Sequence, residues 1–398
     1  MKQIIIMVGL PARGKSFISN KLLKYLNWSN IKTKIFNVGN YRRIKYKFYD
    51  STFFDNNIKE NKNIRNELAT ELYTELLEWI QEDNNIVAIF DATNTSIERR
   101  KLLYEKTPKN INLLYVETIC DIESIIKKNI LLKSNSDDYK NIEKEIAYKD
   151  FEKRIKFYEN VYNEIEKDEN IRYIKIININ EQFILNLNNK VTLYDKIIIN
   201  NLLNTNINRK KIYLTRHGES LYNLENKIGG NSNLSKQGQL YSEKLSSYVY
   251  DNIENYKVYC STLIRTINTA KKITEDINIC KCLDEINAGI CEHKTFEEVE
   301  KEYPEEFNKR KYNKLNYRYP SGESYIDLID RLRTFVYDIE NNSNIVIIVA
   351  HQAILRVIYG FYMGINIEDI PHINIPLHTI IELDPNTYNY KDKYIKLL

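Results

Sequence analysis

The sequence predicts an α/β protein of two doubly wound, three-layer domains, each a mostly parallel sheet with helices on both faces. Three observations carry this. Short apolar runs alternate with longer amphipathic stretches along the chain. The alternation restarts after a polar, Asn-rich tract at 200–209. Several apolar runs end abruptly in a residue suited to phosphate chemistry, where an open parallel sheet would place its ligand crevice. At 398 residues the chain has room for two or three domains. The boundary is placed between domains 1–207 and 208–398.

In the first domain the apolar runs predict strands at 3–8, 33–37, 86–90, 111–117 and 173–179. Helical patterns lie at 17–25, 63–81 and 138–166. In the second domain strands are predicted at 211–214, 257–260, 345–349 and 380–383.

Composition narrows the function classes. A chain with 43% hydrophobic and 28% charged residues is an ordinary globular protein, and a net charge of +4 gives no footprint for nucleic acid. No basic stripe is interleaved with stacking aromatics. The five cysteines, Cys120, Cys260, Cys280, Cys282 and Cys291, have no metal-ligand spacing and form no even framework. The N-terminus does not read as a secretory signal, and no apolar run reaches the roughly 20 residues of a membrane helix. A cytoplasmic protein is expected, with neither membrane nor nucleic acid as partner.

The run Ile4–Val8 leads into Gly9-Leu-Pro-Ala-Arg13-Gly14-Lys15-Ser16, which matches the GxxxxGK[ST] phosphate loop. Glycines let successive backbone N–H groups turn toward phosphate, and the following helix adds the positive end of its dipole. Lys15 would bridge the outer phosphates and Ser16 would bind Mg²⁺. Such a loop needs a second carboxylate on the metal side, and Asp91 ends the apolar strand IVAIFD. Next, Thr95-Ser-Ile-Glu98 reads as a capping box that turns Thr95, Arg99 and Arg100 toward the site. Arg99 and Arg100 read almost as well as a solvated face. Arg42 and Arg43 follow the second strand, and paired guanidiniums there suit a phosphorylated acceptor.

Two of the five histidines, His217 and His351, directly follow apolar strands. Arg216 precedes His217, and Arg265 follows a further strand, so the sheet would gather two imidazoles and two guanidiniums into a phosphate trap. His217 is the nucleophile candidate: neighbouring guanidiniums keep it neutral, and a neutral imidazole can attack phosphorus. Glu285 suits a general acid, or it is a surface carboxylate. His293, His372 and His378 read as structural.

The stretches MVGLPARGKS, FNVGNYRR, FDATNTS, RHGES, IGG, CSTLIRTINTA, YRYPSGESY and HQAILR stand in this order along almost the whole chain. Together they resemble the bifunctional 6-phosphofructo-2-kinase/fructose-2,6-bisphosphatases. The resemblance implies a P-loop NTPase-like kinase domain followed by a phosphoglycerate mutase-like histidine phosphatase domain. It implies that the first half transfers phosphate from ATP to fructose 6-phosphate. The second half would hydrolyse the product, fructose 2,6-bisphosphate, through a phosphohistidine, so that the pair controls glycolysis against gluconeogenesis.

Carried over by motif, Gly9, Arg13, Gly14, Lys15, Ser16, Asn129 and Lys133 serve the nucleotide, with Mg²⁺ on Ser16 and Asp91. Arg42, Arg43, Arg65, Thr95, Arg154 and Tyr158 hold the sugar phosphate. In the second half His217 is phosphorylated, Glu285 is the acid, and Arg216, Asn223, Gly229, Arg265 and His351 hold the transferring phosphate. Arg310, Lys314, Tyr325, Gln352 and Arg356 grip the rest of the bisphosphate. A homodimer is implied by the resemblance alone. This chain departs from the family pattern at Asn40, Asn287 and Phe296. Retention of one effective activity is therefore the nearest alternative, and a polynucleotide kinase-phosphatase is a more distant one.

Overall fold

The computed structural model describes the chain except residues 47–50, 135–136, 140–141, 180, 207–208, 343 and 386–389. It divides into two compact units, Met1–Ile207 and Asn208–Leu398. Residues 207 and 208, at the expected boundary, lie outside the described residues.

The first unit runs β1 (Lys2–Val8), α1 (Lys15–Trp28), β2 (Lys32–Asn37), α2 (Val38–Lys45), α3 (Lys59–Trp79), β3 (Ile86–Asp91) and α4 (Ile97–Lys106). It continues with β4 (Asn112–Ile119), α5 (Glu123–Ser134), α6 (Lys144–Glu159), β5 (Tyr173–Ile177), β6 (Gln182–Asn186) and α7 (Leu193–Leu203). Its sheet has the order β2-β3-β1-β4-β5-β6, parallel except for β6.

The pleat of β1 explains the three layers. Ile4, Ile6 and Val8 enter one core with Leu72 and Leu76 of α3 and Leu103 of α4. Ile5 and Met7 enter the opposite core with Ile18, Leu22 and Leu26 of α1 and Ile198 and Leu202 of α7. A strand buried on both faces must be apolar at every position, and each such side chain contributes about 1.5–3 kcal/mol of burial. The chain leaves β1 for β2 and β3 on one side and returns to β4 on the other, so the ligand crevice opens beyond the end of β1.

Three sequence expectations are corrected here. Among the described residues, the pattern over 138–166 contains an α-helix only at Lys144–Glu159. Residues Asp137–Tyr139 form a separate 3-10 turn, and beyond the helix Asn163 N is drawn to the carbonyl of Thr95 at 2.9 Å. The strand expected to reach 179 stops at Ile177, because Asn178 and Ile179 turn at φ 48 and 50 into the antiparallel β6. The cap of α4 is Ser96, which accepts from Arg99 N at 3.2 Å, so the expected Thr95 capping box does not form.

The second unit runs β7 (Ile212–Arg216), α8 (Leu221–Leu224), α9 (Lys236–Asn252), β8 (Tyr256–Cys260), α10 (Ile264–Ile273), β9 (Ile277–Ile279), α11 (Phe296–Glu302) and α12 (Pro304–Tyr312). It ends with α13 (Tyr325–Glu340), β10 (Ile345–Ala350), α14 (Gln352–Met363), β11 (Thr379–Pro385) and β12 (Tyr390–Lys396). The sheet order is β12-β11-β7-β10-β8-β9, in which β10 lies between β7 and β8, parallel to both. Tyr241, Leu245 and Val249 of α9 cover Tyr213, Val258, Ile347 and Val349 on one face. Because β7 and β10 are neighbours with Arg216 level with Ala350, the residues that follow them, His217 and His351, emerge side by side.

Candidate active sites

In the first unit the loop after β1 depends on its glycines. Gly14 caps α1 at φ +91, and Gly9, at φ +134, passes so near β4 that a Cβ there would meet Thr118 O at 2.5 Å. Lys15 is buried, and its Nζ donates to the carbonyls of Gly9 at 2.8 Å and Leu10 at 2.6 Å. Burial pushes this ammonium down to about 7. Asp91 pulls it up, while Lys133, Arg13 and Arg154 push it lower. A polyphosphate in the loop would relieve that penalty.

Asn129 and Arg13 brace the same loop, donating to Ala12 O at 3.0 Å and Pro11 O at 3.2 Å. Ser16 sits in the first turn of α1. Asp91, buried at the end of β3, accepts from Asn37 Nδ2 at 2.5 Å. Asn37 also caps α2 by accepting from Asn40 N at 2.8 Å, a double role that its sequence context does not signal.

A second cluster in this unit gathers Arg42 and Arg43 from α2 with Arg154 from α6. All three converge on Asp138, at 2.6, 3.2 and 3.8 Å. Arg65 of α3 donates to Phe53 O and, at 2.7 Å, to Asn56 Oδ1. Aromatic faces line the cluster: the Arg154 guanidinium lies 3.8 Å above the Phe54 ring, which is 5.8 Å from Tyr158. Arg42 Nε and Nη1, Arg99 Nη1 and Arg154 Nε are buried without a hydrogen-bond partner. The unpaired donors of Arg42 and Arg154 around the one Asp138 carboxylate suit a larger anion.

Arg99 and Arg100, paired in the sequence reading, separate here. Arg100 is 1% exposed, pairs with Glu169 at 2.6 Å and donates to the carbonyls of Asn94, Thr95 and Asn163. It is a structural clamp, neither a solvated face nor a free ligand for an anion.

In the second unit one guanidinium organises the site. Arg265 Nε donates to His217 Nε2 at 3.1 Å, Nη2 to His351 Nδ1 at 3.2 Å, and Nη1 to Gly230 O at 2.7 Å. His217 Nδ1 lies 2.7 Å from the carbonyl of Gly218, which can only accept. Nδ1 therefore carries the proton and Nε2 the lone pair. By the same logic His351 takes its proton on Nε2 and donates to Ser261 Oγ at 2.8 Å. The imidazole centroids are 5.1 Å apart. Burial, then Arg265, pushes both rings well below the ordinary imidazole range, so both are neutral at physiological pH.

Above them opens a cavity of about 360 Å³. Its walls carry Arg216, His217, Asn223, Gly229, Arg265, Glu285, Arg310, Lys314, Tyr325, Gln352 and Arg356. His351 does not reach the cavity; it is fully buried behind Arg265. Burial raises the carboxyl of Glu285 above its usual range, against an N–H from Ile286 and the pull of Arg265, Arg216 and Arg356. Burial lowers Arg216 to about 10, opposed by Glu285, with Arg356 and Arg265 adding to the shift. Burial, Arg356 and Arg310 lower Lys314 to about 8.

A run of backbone carbonyls holds three of these cations: Lys314 donates to Pro371 O at 2.8 Å, Arg356 to Ile373 O at 2.6 Å and Arg216 to Ile375 O at 3.3 Å. The departing residue Phe296 lies on the cavity wall with Arg310 4.9 Å above its ring. Ser261, whose hydroxyl accepts from His351 Nε2, was not anticipated. Its place directly after β8, in a segment that carries Arg265, is the signal that could have found it.

A phosphate loop backed by a strand-end carboxylate, and a paired-histidine phosphate pocket in a separate unit, define a chain of two phosphoryl-transfer modules. The model of the 6-phosphofructo-2-kinase family matches residues 1–209, and that of the histidine phosphatase superfamily (branch 1) matches residues 212–394. Over its whole length the chain is 42% identical to fructose-2,6-bisphosphatase of Saccharomyces cerevisiae, spanning 89% of that protein. It is 38% identical to 6-phosphofructo-2-kinase/fructose-2,6-bisphosphatase 4 of Rattus norvegicus, with 99% of this chain and 85% of the relative covered. The chain belongs to the 6-phosphofructo-2-kinase/fructose-2,6-bisphosphatase family. Among solved structures, the alpha-ribazole phosphatase of Shigella flexneri matches 47% of this chain and 96% of its own, at 20% identity and a TM-score of 0.44. The kinase module implies a nucleotide co-substrate. Among the described residues no helix is long and apolar enough to cross a membrane.

Proposed function

We propose that this chain makes fructose 2,6-bisphosphate from fructose 6-phosphate and ATP, and hydrolyses it back to fructose 6-phosphate and phosphate. It thereby sets the balance between glycolysis and gluconeogenesis, acting in the cytoplasm. The observation that carries the reading is the coexistence, in one chain of this family, of a buried phosphate-loop lysine and a neutral, oriented histidine nucleophile.

In the kinase half, the loop N–H groups and Lys15 take the outer phosphates of ATP, with Gly9, Arg13, Gly14, Asn129 and Lys133 on the nucleotide side. Arg42, Arg43, Arg65, Thr95, Arg154 and Tyr158 take fructose 6-phosphate, whose phosphate replaces the Asp138 carboxylate among the guanidiniums. The 2-hydroxyl oxygen attacks the γ-phosphorus, the bond to ADP breaks, and the hydroxyl proton is released.

Mg²⁺ fits the donor set: the Ser16 hydroxyl in the first turn of α1 and the Asp91 carboxylate at the end of β3. These are hard oxygens, few enough to leave room for phosphate and water. Among the described residues no cluster of three or more His, Cys, Asp or Glu offers an all-protein cage. When bound, the ion neutralises charge on the β- and γ-phosphates.

In the phosphatase half, His217 Nε2 attacks the 2-phosphate and the sugar oxygen leaves with the proton of Glu285. Water then cleaves the phosphohistidine, its proton passing to Glu285. Arg216, Arg265, Asn223 and Gly229 surround the transferring group, and His351 holds Arg265. Arg310, Lys314, Tyr325, Gln352 and Arg356 retain the sugar and its 6-phosphate. Cations fixed before the reaction supply most of the rate in such transfers.

The Saccharomyces cerevisiae relative is named for the phosphatase alone, which favours a second reading with one dominant activity. A phosphorus NMR time course with Mg-ATP and fructose 6-phosphate separates the two. Transient sugar 2-phosphate with ADP, then free phosphate, is the expected result. A lasting 2-phosphate signal means a kinase with an impaired phosphatase. With no 2-phosphate formed, hydrolysis of added fructose 2,6-bisphosphate would leave a phosphatase, and no reaction at all would overturn the substrate.

A further inference from the structure

We propose that Glu292 is a positioning residue for the phosphatase reaction: it sets Arg265 through the Gly229–Gly230 turn and ties that turn to the segment carrying Glu285. The proposal rests on the phosphatase reading above. Glu292 spans two loops with its two oxygens. Oε2 accepts from Gly230 N at 2.6 Å, and Oε1 accepts from Ala288 N, three residues beyond Glu285, at 2.8 Å. The carbonyl of the same Gly230 accepts Arg265 Nη1 at 2.7 Å, and Arg265 in turn meets both imidazoles. One carboxylate therefore reaches His217 through a single glycine and a single guanidinium.

The turn is built to admit that carboxylate. Gly229 and Gly230 stand at φ +64 and +63, where other side chains are strained. A Cβ on Gly229 would lie 1.9 Å from Glu292 Oε2. The flanking backbone closes around it, with His293 N donating to Ile228 O at 2.9 Å and Ile228 N to Lys294 O at 2.8 Å. An ionised acceptor gives the stronger class of hydrogen bond. Its charge also helps keep the buried Arg265 guanidinium cationic, alongside Glu285 and Asp284. A glutamine at 292 would have one oxygen for two backbone donors, so one loop would come loose and Arg265 would lose its fixed third contact.

The test is a double-mutant cycle on hydrolysis of fructose 2,6-bisphosphate by the full chain: wild type, Glu292→Gln, Arg265→Lys and the double variant. Glu292→Gln is expected to lower kcat by about 10- to 100-fold with KM within about threefold, because the contact acts on the transferring phosphoryl group. In the Arg265→Lys background the same substitution is expected to cost less than about threefold.

Equal loss in both backgrounds, or a raised KM with kcat unchanged, overturns the proposal. Glu292→Asp keeps the charge but reaches only one loop. An intermediate kcat there supports the same chain of contacts, and it serves if Glu292→Gln does not give a cooperative thermal transition. Full activity of Glu292→Asp alongside a Glu292→Gln chain that does not fold would assign Glu292 to folding alone. If wild type cleaves p-nitrophenyl phosphate but not the bisphosphate, the substrate assignment fails and the cycle is read on that ester.

Discussion

Arg265 Nε points at His217 Nε2 from 3.1 Å while the opposite ring nitrogen is spent on the Gly218 carbonyl. The nitrogen that carries the attacking lone pair is therefore fixed before substrate arrives, and the guanidinium that donates to it is a natural partner for the phosphoryl oxygens, to which it would turn as that lone pair is released. Two substitutions separate these roles. His217→Ala is expected to abolish bisphosphate hydrolysis and leave kinase activity intact. Arg265→Ala is expected to keep the nucleophile but lower phosphatase kcat by about 10²–10³. Detection of phosphohistidine by phosphorus NMR after acid-free quench, present in wild type and absent in His217→Ala, checks the first. Unchanged hydrolysis in His217→Ala would remove the phosphohistidine mechanism.

The pH profile of the phosphatase follows from two opposite shifts. His217 must be neutral to attack, and burial with Arg265 holds it well below 6.5. The acid limb of kcat/KM is therefore expected well below the ordinary imidazole range. Glu285 must be protonated to release the sugar oxygen, and burial raises its carboxyl above 4.5, so its ionisation carries the alkaline limb. Glu285→Gln is expected to lower kcat by about 10²–10⁴ and to flatten that limb. The same histidines affect stability. Their folded forms resist a proton that the unfolded chain accepts near 6.5, so the stability they contribute falls as pH drops below that value. An acid limb near pH 6.5 in the wild type would show that His217 is not shielded as described.

In the kinase half the free enzyme holds Lys15 at about 7. Polyphosphate would draw that group back to full charge, so nucleotide binding takes up protons. The uptake expected is about half a proton at pH 7 and about nine-tenths at pH 8, from the titration of one group at that value. Calorimetry in buffers of different ionisation enthalpy reads this directly, and Lys15→Met should abolish it. An uptake near zero at pH 8 in the wild type would place the free lysine in its charged form.

Residues that end an apolar strand were legible from sequence, because a strand's direction tells where its last side chain points. Asp91, His217 and His351 stand at or directly after such a strand end, while Lys15, at the start of α1, was legible from its glycine-loop motif instead. Arg100 was not legible, since its partner Glu169 lies 69 positions away and nothing local marks the pair. Ser96 took the cap from Thr95 because adjacent hydroxyls are equally good caps on paper, and the path of the chain decides between them. The edge strands β6, β9 and β12 were missed for a common reason: an edge strand has little to bury, and β12 has exposed side chains at most positions. Asn37, Ser261 and Glu292 escaped because each acts on a residue brought near only by the fold.

Arg100 also gives a stability prediction. Its guanidinium is almost fully buried, satisfied by Glu169 and by the carbonyls of Asn94, Thr95 and Asn163. Arg100→Leu would leave Glu169 without its ion-pair partner and take the guanidinium donor from those three carbonyls, of which Thr95 O keeps only Asn163 N, a loss of about 3–5 kcal/mol. Denaturant unfolding followed by kinase and phosphatase assays is expected to show the kinase failing at lower denaturant than in wild type. Phosphatase activity should persist to its usual midpoint. A change under 1 kcal/mol, on the order of an exposed pair, would mean that the clamp is open to solvent.

The acceptor cluster makes the last prediction, and it turns on charge. Arg42, Arg43 and Arg154 share one carboxylate, Asp138, and buried donors on Arg42 and Arg154 stay unpaired. Desolvated cations in such excess repel one another, and a dianionic sugar phosphate relieves the repulsion by more than it costs to displace one aspartate. Arg42→Ala is thus expected to raise KM for fructose 6-phosphate at least about tenfold, the effect of losing one charged hydrogen bond. KM for ATP should stay within about twofold. Raised salt should weaken acceptor binding less than it would weaken an exposed site, since buried charges are poorly screened. If instead Arg42→Ala raised KM for ATP and spared fructose 6-phosphate, the guanidinium cluster would belong to the nucleotide, and the acceptor would have to be sought elsewhere along the β1 crevice.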